Sequence, residues 1–317
     1  MKAVITTVPF GAFDPRPIEM LTAAGIEFEI NPLGRKLRND EVAGVIGDAD
    51  IVIAGTEQIS DQVFDRCPNL KAVCRVGIGL DSVDLAAAKR RGIAVSYTPD
   101  APSDAVAELT IGLMIDALRG ASTADRHIRS GVWQRNAGRR LALATVGIVG
   151  VGRIGGRVIK HLLGGFPGVR VLANDIAPTT AFDGQVTWVE KDLLYRSSDI
   201  VSLHLPLTRE TRNLISKAEM RGFKPGSIIV NTARGGIVNE GDLADALRTG
   251  VIGAAAVDVF ESEPYEGPLT EADNAILTCH LGSMTEDCRA RMEVEAVQEA
   301  VRFAAGEMLA SPAPWDD

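Results

Sequence analysis

Cysteine is scarce in this chain: four in 317 residues (Cys67, Cys74, Cys279 and Cys288), with no C-x-x-C pair and no companion cluster of histidines. That excludes a disulfide framework and gives no metal-binding spacing, so the thiols are expected to be reduced and packed as small apolar groups in a cytoplasmic protein. Positive charge is also in deficit, with 33 Lys and Arg against 42 Asp and Glu for a formal net charge of −9. Neither nucleic acid nor an anionic membrane surface has electrostatic support as a partner. No apolar run is long enough to span a bilayer. The opening MKAVITTVPFGAFDP reaches Pro9 without the apolar core of a signal peptide.

What the chain does have is length for two domains, with 46% hydrophobic and 24% charged residues, as suits a globular protein with a sizeable core. Its organising stretch is ATVGIVGVGRIGG, where Gly150-Val151-Gly152-Arg153-Ile154-Gly155 has the spacing G-x-G-x-x-G. Val146, Ile148 and Val149 before it predict a buried strand, and Ile154 to Leu163 after it predict a helix. The first glycine allows the turn, the second lets backbone approach a pyrophosphate, and the third lets helix pack on strand. Glycines so spaced also mark ordinary tight turns. Here Asp175 ends the next apolar run, 20 residues past Gly155, where a ribose-binding carboxylate belongs. The combination predicts a dinucleotide site. It predicts NAD rather than NADP, because a carboxylate repels a 2′-phosphate and no arginine follows it.

Residues 2–97 alternate apolar runs with amphipathic segments. Strands are predicted at Ala3–Thr6, Ile26–Ile30, Ile51–Ala54, Lys71–Arg75 and Ile93–Ser96, with helices near Pro17–Ala24, Asp40–Ile46, Asp61–Arg66 and Asp84–Arg91. Such alternation predicts an open parallel sheet covered on both faces. The turn Arg75-Val76-Gly77-Ile78-Gly79 falls where such sheets bind ligands. Arg75 there is either a guanidinium holding an anion or one surface arginine on a flexible connection. Pro99 and Pro102 mark a crossing, after which Ser103 or Asp104 should cap a largely buried helix to about Leu118. Gly131–Arg140 reads as a solvated loop; the sharper reading sets Arg135 near an anionic substrate or a second subunit.

From Ala144 the alternation resumes. Strands are predicted at Val146–Val149, Val169–Asn174, Ile200–His204, Ser227–Asn231, Ile252–Val257 and Ile276–Thr278, with helices at Arg153–Leu163, Asp192–Arg196, Lys217–Arg221 and Gly241–Arg248. This is the doubly wound dinucleotide-binding pattern. The long helix from Glu286 to about Ala305 should pack back on the first unit, and Ser311–Asp317, with its two prolines, reads as a frayed tail.

Hydride transfer to a carbonyl leaves an oxygen in need of a proton, and only four histidines are present. His127 and His161 sit in helical stretches and read as structural or solvated. His204 and His280 both end strands, at the mouth where such sheets place their chemistry, and histidine titrates near neutrality. Arg234 ends another strand beside two glycines, and Asp258, Glu261 and Glu263 share the loop after the next. A carboxylate can orient a histidine, and an arginine can bind a substrate carboxylate with two prongs. Taken singly, each is equally a surface arginine, a solvated acidic loop or a satisfied structural histidine.

Together the segments Asn-Thr-Ala-Arg234-Gly-Gly, Asp258-Val-Phe-Glu-Ser-Glu263-Pro and Cys-His280-Leu-Gly-Ser resemble the D-2-hydroxyacid dehydrogenase family. The resemblance extends to Arg75–Asp81, Val106-Ala107-Glu108 and Gly150–Gly155. Within the family, Arg75-Val-Gly-Ile-Gly-Leu-Asp81 and Trp133-Gln-Arg135 are most similar to the phosphoglycerate dehydrogenase branch. The resemblance implies an α/β fold of two Rossmann-like domains with catalysis in a cleft between them. The substrate domain would be flavodoxin-like and discontinuous (1–98 and 286–317), the NAD domain 99–285, and the assembly a homodimer through the NAD domain.

By the same resemblance His280 exchanges the hydroxyl proton, Glu263 pairs with it, and Arg234 grips the carboxylate and carbonyl of a small 2-hydroxy acid or 2-oxoacid. Arg75, Val76, Gly77 and Ile78, with Gly79, would cradle the substrate's acid end. Gly150, Gly152, Arg153, Ile154, Gly155, Asp175, His204, Pro206, Thr208, Thr232, Ala233, Asp258, Gly282 and Ser283 would line the NAD site, with Arg234 and His280 adjoining it. The sequence ends without the regulatory domain of longer members, so serine feedback through one is not expected. Ile78 stands where phosphoglycerate enzymes often carry a hydroxyl residue, and Leu33-Gly-Arg35-Lys36 is either a phosphate contact or an exposed basic turn. Glu263 departs from formate dehydrogenase, a relative with Gln in that place. 3-Phosphoglycerate leads among substrates. Glyoxylate, hydroxypyruvate and a phosphonate analogue are the enzymatic alternatives, and an NAD(H)-sensing corepressor is the non-enzymatic one.

Overall fold

Short runs rich in valine, isoleucine and alanine build the first sheet of the computed structural model, which describes residues 1–314. Its strands are β1 (Lys2–Ile5), β2 (Glu27–Ile30), β3 (Ile51–Ala54), β4 (Ala72–Arg75) and β5 (Ala94–Ser96), all parallel, in the order β2-β1-β3-β4-β5. β3 and β4 are buried along their whole length, as a central parallel strand covered on both faces requires. The order reverses direction between β1 and β3, which makes that strand end the switch point of the unit. This unit comprises Met1–Pro102 and the chain from Ser283 onward.

Helix Glu286–Ala304 rejoins this sheet, packing on β3, β4 and helix Arg16–Ala23. It buries an ion pair, Arg289 with Glu293 at 2.9 Å. The pair also bonds the loop after β1: Arg289 donates to the Pro9 carbonyl (2.7 Å), and Glu293 accepts from the Gly11 amide (2.8 Å). Two buried charges so bonded hold that loop to the helix. The expected fraying at the end of the chain does not extend to 311–314. The Tyr97 amide donates to the Ser311 carbonyl (3.2 Å), the Ala313 amide to that of Val95 (2.8 Å), and Ala313 is buried. An apolar side chain inside the β5 edge outweighs the neighbouring prolines. The remainder of that stretch, 315–317, lies outside the described residues.

The second unit, Ser103–Gly282, holds a seven-stranded parallel sheet. Its strands are β6 (Thr145–Val149), β7 (Arg170–Asn174), β8 (Thr187–Trp188), β9 (Ile200–Leu203), β10 (Ile228–Asn231), β11 (Ala254–Val257) and β12 (Ala275–Leu277), ordered β12-β11-β10-β9-β6-β7-β8. Sequence periodicity did not reveal β8, because two residues at a sheet edge are too short to show an alternation. The switch point lies between β6 and β9.

Helix Ser103–Arg119 lies against β10, β11 and the helix Arg153–Gly165. Ser103 and Asp104 already belong to this helix rather than capping it, and Asp104 accepts from Arg157. Its burial is one-sided: Val106, Leu113 and Met114 are enclosed while Ile115 is exposed. Three of the cysteines are buried, as expected, but Cys279 is exposed on the loop after β12. Burial pushes the thiol of Cys74 up to about 12 and that of Cys288 up to about 11. No helix among the described residues is long and apolar enough to cross a membrane.

Candidate active site

The glycine loop leaves β6 at the switch point and enters helix Arg153–Gly165. Gly150 has φ +90°, and a Cβ there would stand 2.4 Å from the His204 carbonyl oxygen at the end of β9. A Cβ on Gly155 would stand 2.0 Å from the Gly150 carbonyl oxygen. Gly152, the residue before the helix, faces open space, and no side chain caps the helix there. Two glycines are thus demanded by the protein itself, and the third leaves room for a ligand at unsatisfied N–H groups. Asp175, just past β7, accepts from the amides of Val151 (2.6 Å) and Ala177 (2.9 Å), which fixes the acid beside the loop. These features fit a dinucleotide: pyrophosphate at the helix N-terminus and ribose at Asp175.

Three neighbouring strands then deliver the chemistry-bearing groups. Arg234 follows β10, Glu263 follows β11 and His280 follows β12. His280 Nδ1 donates to both Glu263 oxygens, at 3.0 and 3.1 Å, with the two side chains 39% and 27% exposed. Because a carboxylate only accepts, this contact puts the proton on Nδ1 and leaves Nε2 as the nitrogen for exchange. Glu263 is itself held: Oε1 accepts from the Phe260 amide (3.1 Å), and Tyr265 stacks on Phe260 with ring centroids 4.1 Å apart. The Arg234 turn packs against that loop, for a Cβ on Gly235 would stand 2.0 Å from the Phe260 carbonyl carbon. Asn231 clamps the turn from within, accepting from the Ala233 amide (3.1 Å) and donating to the Arg234 carbonyl (2.9 Å). Sequence reasoning passed over Asn231, although an asparagine at a strand end before a tight turn is the available signal.

His204 ends differently from His280. Its Nε2 meets Ser202 Oγ at 2.9 Å, its Nδ1 is enclosed without a partner, and burial pushes its pKa down to about 3. It therefore stays neutral at physiological pH and serves as packing beside the glycine loop rather than as a proton carrier. Its folded value lies below the ordinary 6.5. The unfolded chain then takes up a proton that the folded chain refuses, so stability falls as pH drops below 6.5 towards 3. His204→Gln is expected to reduce the loss of stability between pH 6.5 and 5 by about 1–2 kcal/mol. Urea unfolding at the two pH values checks this, and an equal loss in both proteins would count against it.

The other expected residues are dispersed in character. Thr232 is buried, and its hydroxyl meets that of Thr110 at 2.8 Å, turned into the helix Ser103–Arg119. Ala233 is buried, Arg153 exposed and Ile154 half-buried. Pro206 and Thr208 lie on an exposed turn, where the Pro206 carbonyl and the Thr208 amide both bond Thr211 Oγ1, at 2.6 and 2.7 Å. Gly282 closes the second unit, and Ser283 belongs to the first. Arg75 departs from the surface-arginine reading: it is buried, and its guanidinium folds back to donate to the Val76 carbonyl. A Cβ on Gly77 (φ +144°) would stand 2.6 Å from Arg75 Nη1, so the glycine makes room for the arginine under its own loop. Val76 and Gly77 are buried and Ile78 is half-buried. In the basic turn, Arg35 is engaged with Glu41 through two bonds of 2.7 and 2.8 Å.

Comparison with known proteins places this geometry. Residues 111–282 match the D-isomer specific 2-hydroxyacid dehydrogenase, NAD binding domain, family. A hydroxypyruvate reductase of Thermotoga maritima is 37% identical over 86% of this chain and 90% of that protein. A D-3-phosphoglycerate dehydrogenase of Mycobacterium leprae is 37% identical over 91% of this chain but only 55% of its own length. The crystal structure of a glyoxylate reductase from Paecilomyes thermophila superposes with a TM-score of 0.86 at 30% identity, covering 99% of this chain and 98% of that one. The chain belongs to the D-isomer specific 2-hydroxyacid dehydrogenase family, with two Rossmann-like domains and NAD as cofactor.

Proposed function

We propose that the protein moves hydride at C2 between NAD(H) and a small D-2-hydroxy acid or 2-oxoacid. The carrying observation is the Glu263–His280 pair beside the Arg234 turn, at three adjacent strand ends. The nicotinamide supplies the hydride donor or acceptor when bound. Glu263 keeps the His280 proton on Nδ1 and orients the ring. In reduction, protonated His280 gives its Nε2 proton to the C2 oxygen; in oxidation, Nε2 takes the hydroxyl proton. Arg234 holds the carboxylate and polarises the carbonyl. The backbone from Arg75 to Ile78 is assigned to the acid end of the substrate.

Among substrates, 3-phosphoglycerate and 3-phosphohydroxypyruvate come first, on the Arg75–Asp81 motif. Hydroxypyruvate and glyoxylate are the second reading, favoured by the engagement of Arg35 with Glu41 in the basic turn offered above as a phosphate contact. The proposal includes a cytoplasmic homodimer. Ile128, on helix Ala121–Arg129, and Val132 and Trp133 just after it are exposed and supply apolar surface for a second copy.

The deciding test incubates the purified protein with NADH and each of these oxoacids and follows loss of NADH absorbance. Binding of NADH without turnover of any acid would favour the sensor reading over the enzyme. Asp175→Ser should raise the efficiency with NADPH relative to NADH by about tenfold, roughly 1.4 kcal/mol, since it removes the charge that repels a 2′-phosphate. An unchanged ratio in the same assay would sever Asp175 from cofactor choice.

A further inference from the structure

His280 carries a burden that its neighbours do not share: its backbone φ is +57°, a conformation sparsely occupied by residues other than glycine. Such a conformation persists only where the surroundings over-determine it. Here one residue does so. The Asp258 main-chain carbonyl accepts from the His280 amide at 2.9 Å. Asp258 Oδ1 accepts from the Thr278 hydroxyl (2.6 Å) and the Leu281 amide (2.7 Å), and Oδ2 accepts from the Gly282 amide (2.9 Å). Asp258 is fully buried, on the loop directly after β11, and its own amide bonds the Asn231 carbonyl at 3.0 Å. Its carboxylate therefore accepts from residues on both sides of His280. Gly282 lies close enough that a Cβ there would stand 3.2 Å from Asp258 Oδ2.

We infer that Asp258 is a positioning residue, whose carboxylate acts on turnover by holding the His280 loop so that Nδ1 stays on Glu263 and Nε2 points at the reacting oxygen. The family resemblance places Asp258 in the cofactor lining, and the two roles differ in what they affect. A cofactor contact governs how tightly NADH binds. A clamp on the His280 backbone governs kcat and leaves NADH affinity alone. The inference rests on His280 being the proton-exchanging group proposed above.

The test compares Asp258→Asn and Thr278→Val with the wild type. The first puts an amide N–H₂ where a carboxylate oxygen received an N–H; the second removes one donor and leaves the carboxylate in place. Three readouts are taken: kcat with the best oxoacid at saturating NADH, the NADH Kd from fluorescence, and hydrogen exchange at the Leu281 and Gly282 amides. The expected result for Asp258→Asn is a kcat lower by tenfold or more, a Kd within twofold of wild type, and faster exchange at both amides. Thr278→Val should show the same pattern with a kcat loss of about threefold and decides the matter if Asp258→Asn does not fold. A tenfold weaker Kd with kcat preserved overturns the clamp in favour of a cofactor contact, and so does unaltered amide exchange. If the wild type turns over none of the acids, the enzymatic reading has failed, while the exchange data still report whether Asp258 holds the loop.

Discussion

Replacing His280 by Gln is expected to lower kcat by about 10²–10⁴-fold, the range supplied by one well-placed acid–base group, while leaving NADH binding within twofold. The size follows from the role proposed for the side chain. Hydride transfer would place negative charge on the C2 oxygen, and in the proposed mechanism a proton from Nε2 removes that charge. Glutamine retains a polar tip but has no proton to give at neutral pH, so the oxyanion would have to be met by Arg234 and water. Glu263→Gln should be milder, about tenfold, because its amide oxygen can still accept from Nδ1 but only one of the two oxygens that hold the ring remains. The order of the two losses is the informative part. Both variants are read as kcat and KM for the best oxoacid under saturating NADH. A His280→Gln protein with wild-type kcat would remove the histidine from the proton path. A Glu263→Gln loss larger than that of His280→Gln would make the carboxylate the primary group.

The parts of this arrangement legible in the sequence are those fixed by chain-local physics. Val146–Val149, Gly150, Gly152 and Gly155 announce a strand, a turn and a helix because each requirement is met within a dozen residues. The parallel strands other than the two-residue edge strand β8 are similarly visible as apolar runs, since strands covered on both faces have no polar side to interrupt them. What escaped depends on side chains meeting across the fold. Arg75 gave no sign that its guanidinium would turn under its own loop, because that outcome needs the room left by Gly77. Thr232 read as a cofactor residue by resemblance, yet its hydroxyl meets Thr110, 122 positions away in sequence. His204 and His280 read alike as histidines ending strands. Burial separates them, with His204 neutralised beside Ser202 and His280 paired with Glu263. Asp258 braces the neighbouring strand end at His280 through its carboxylate, and bracing of that kind has no period or spacing to read.

Gly155→Ala and Gly152→Ala should fail in opposite ways, although both remove a glycine from the same loop. At Gly155 the added Cβ would lie 2.0 Å from the Gly150 carbonyl oxygen, a backbone atom that cannot rotate aside. Relief requires helix Arg153–Gly165 to move off β6 and the turn at Gly150, itself at φ +90°, to reopen. Val158, Ile159 and Leu162 on that helix are fully buried, so the shift would also open the core beneath it. A loss of about 3 kcal/mol or more is expected, at the upper end for overpacking, and corresponds to roughly 6–12 °C in Tm for a domain of this size. At Gly152 a Cβ meets nothing within 4 Å, so Gly152→Ala should melt within about 1 °C of wild type. Its methyl group would instead occupy the space through which a pyrophosphate reaches the helix N–H groups. NADH affinity should fall by about tenfold or more, roughly 1.4 kcal/mol, with the fold intact. Calorimetry of the two variants, paired with fluorescence titration of NADH, separates the effects. If Gly152→Ala binds NADH as tightly as wild type, the loop does not receive the pyrophosphate. If Gly155→Ala keeps the wild-type Tm, the close approach of helix to strand does not constrain this fold.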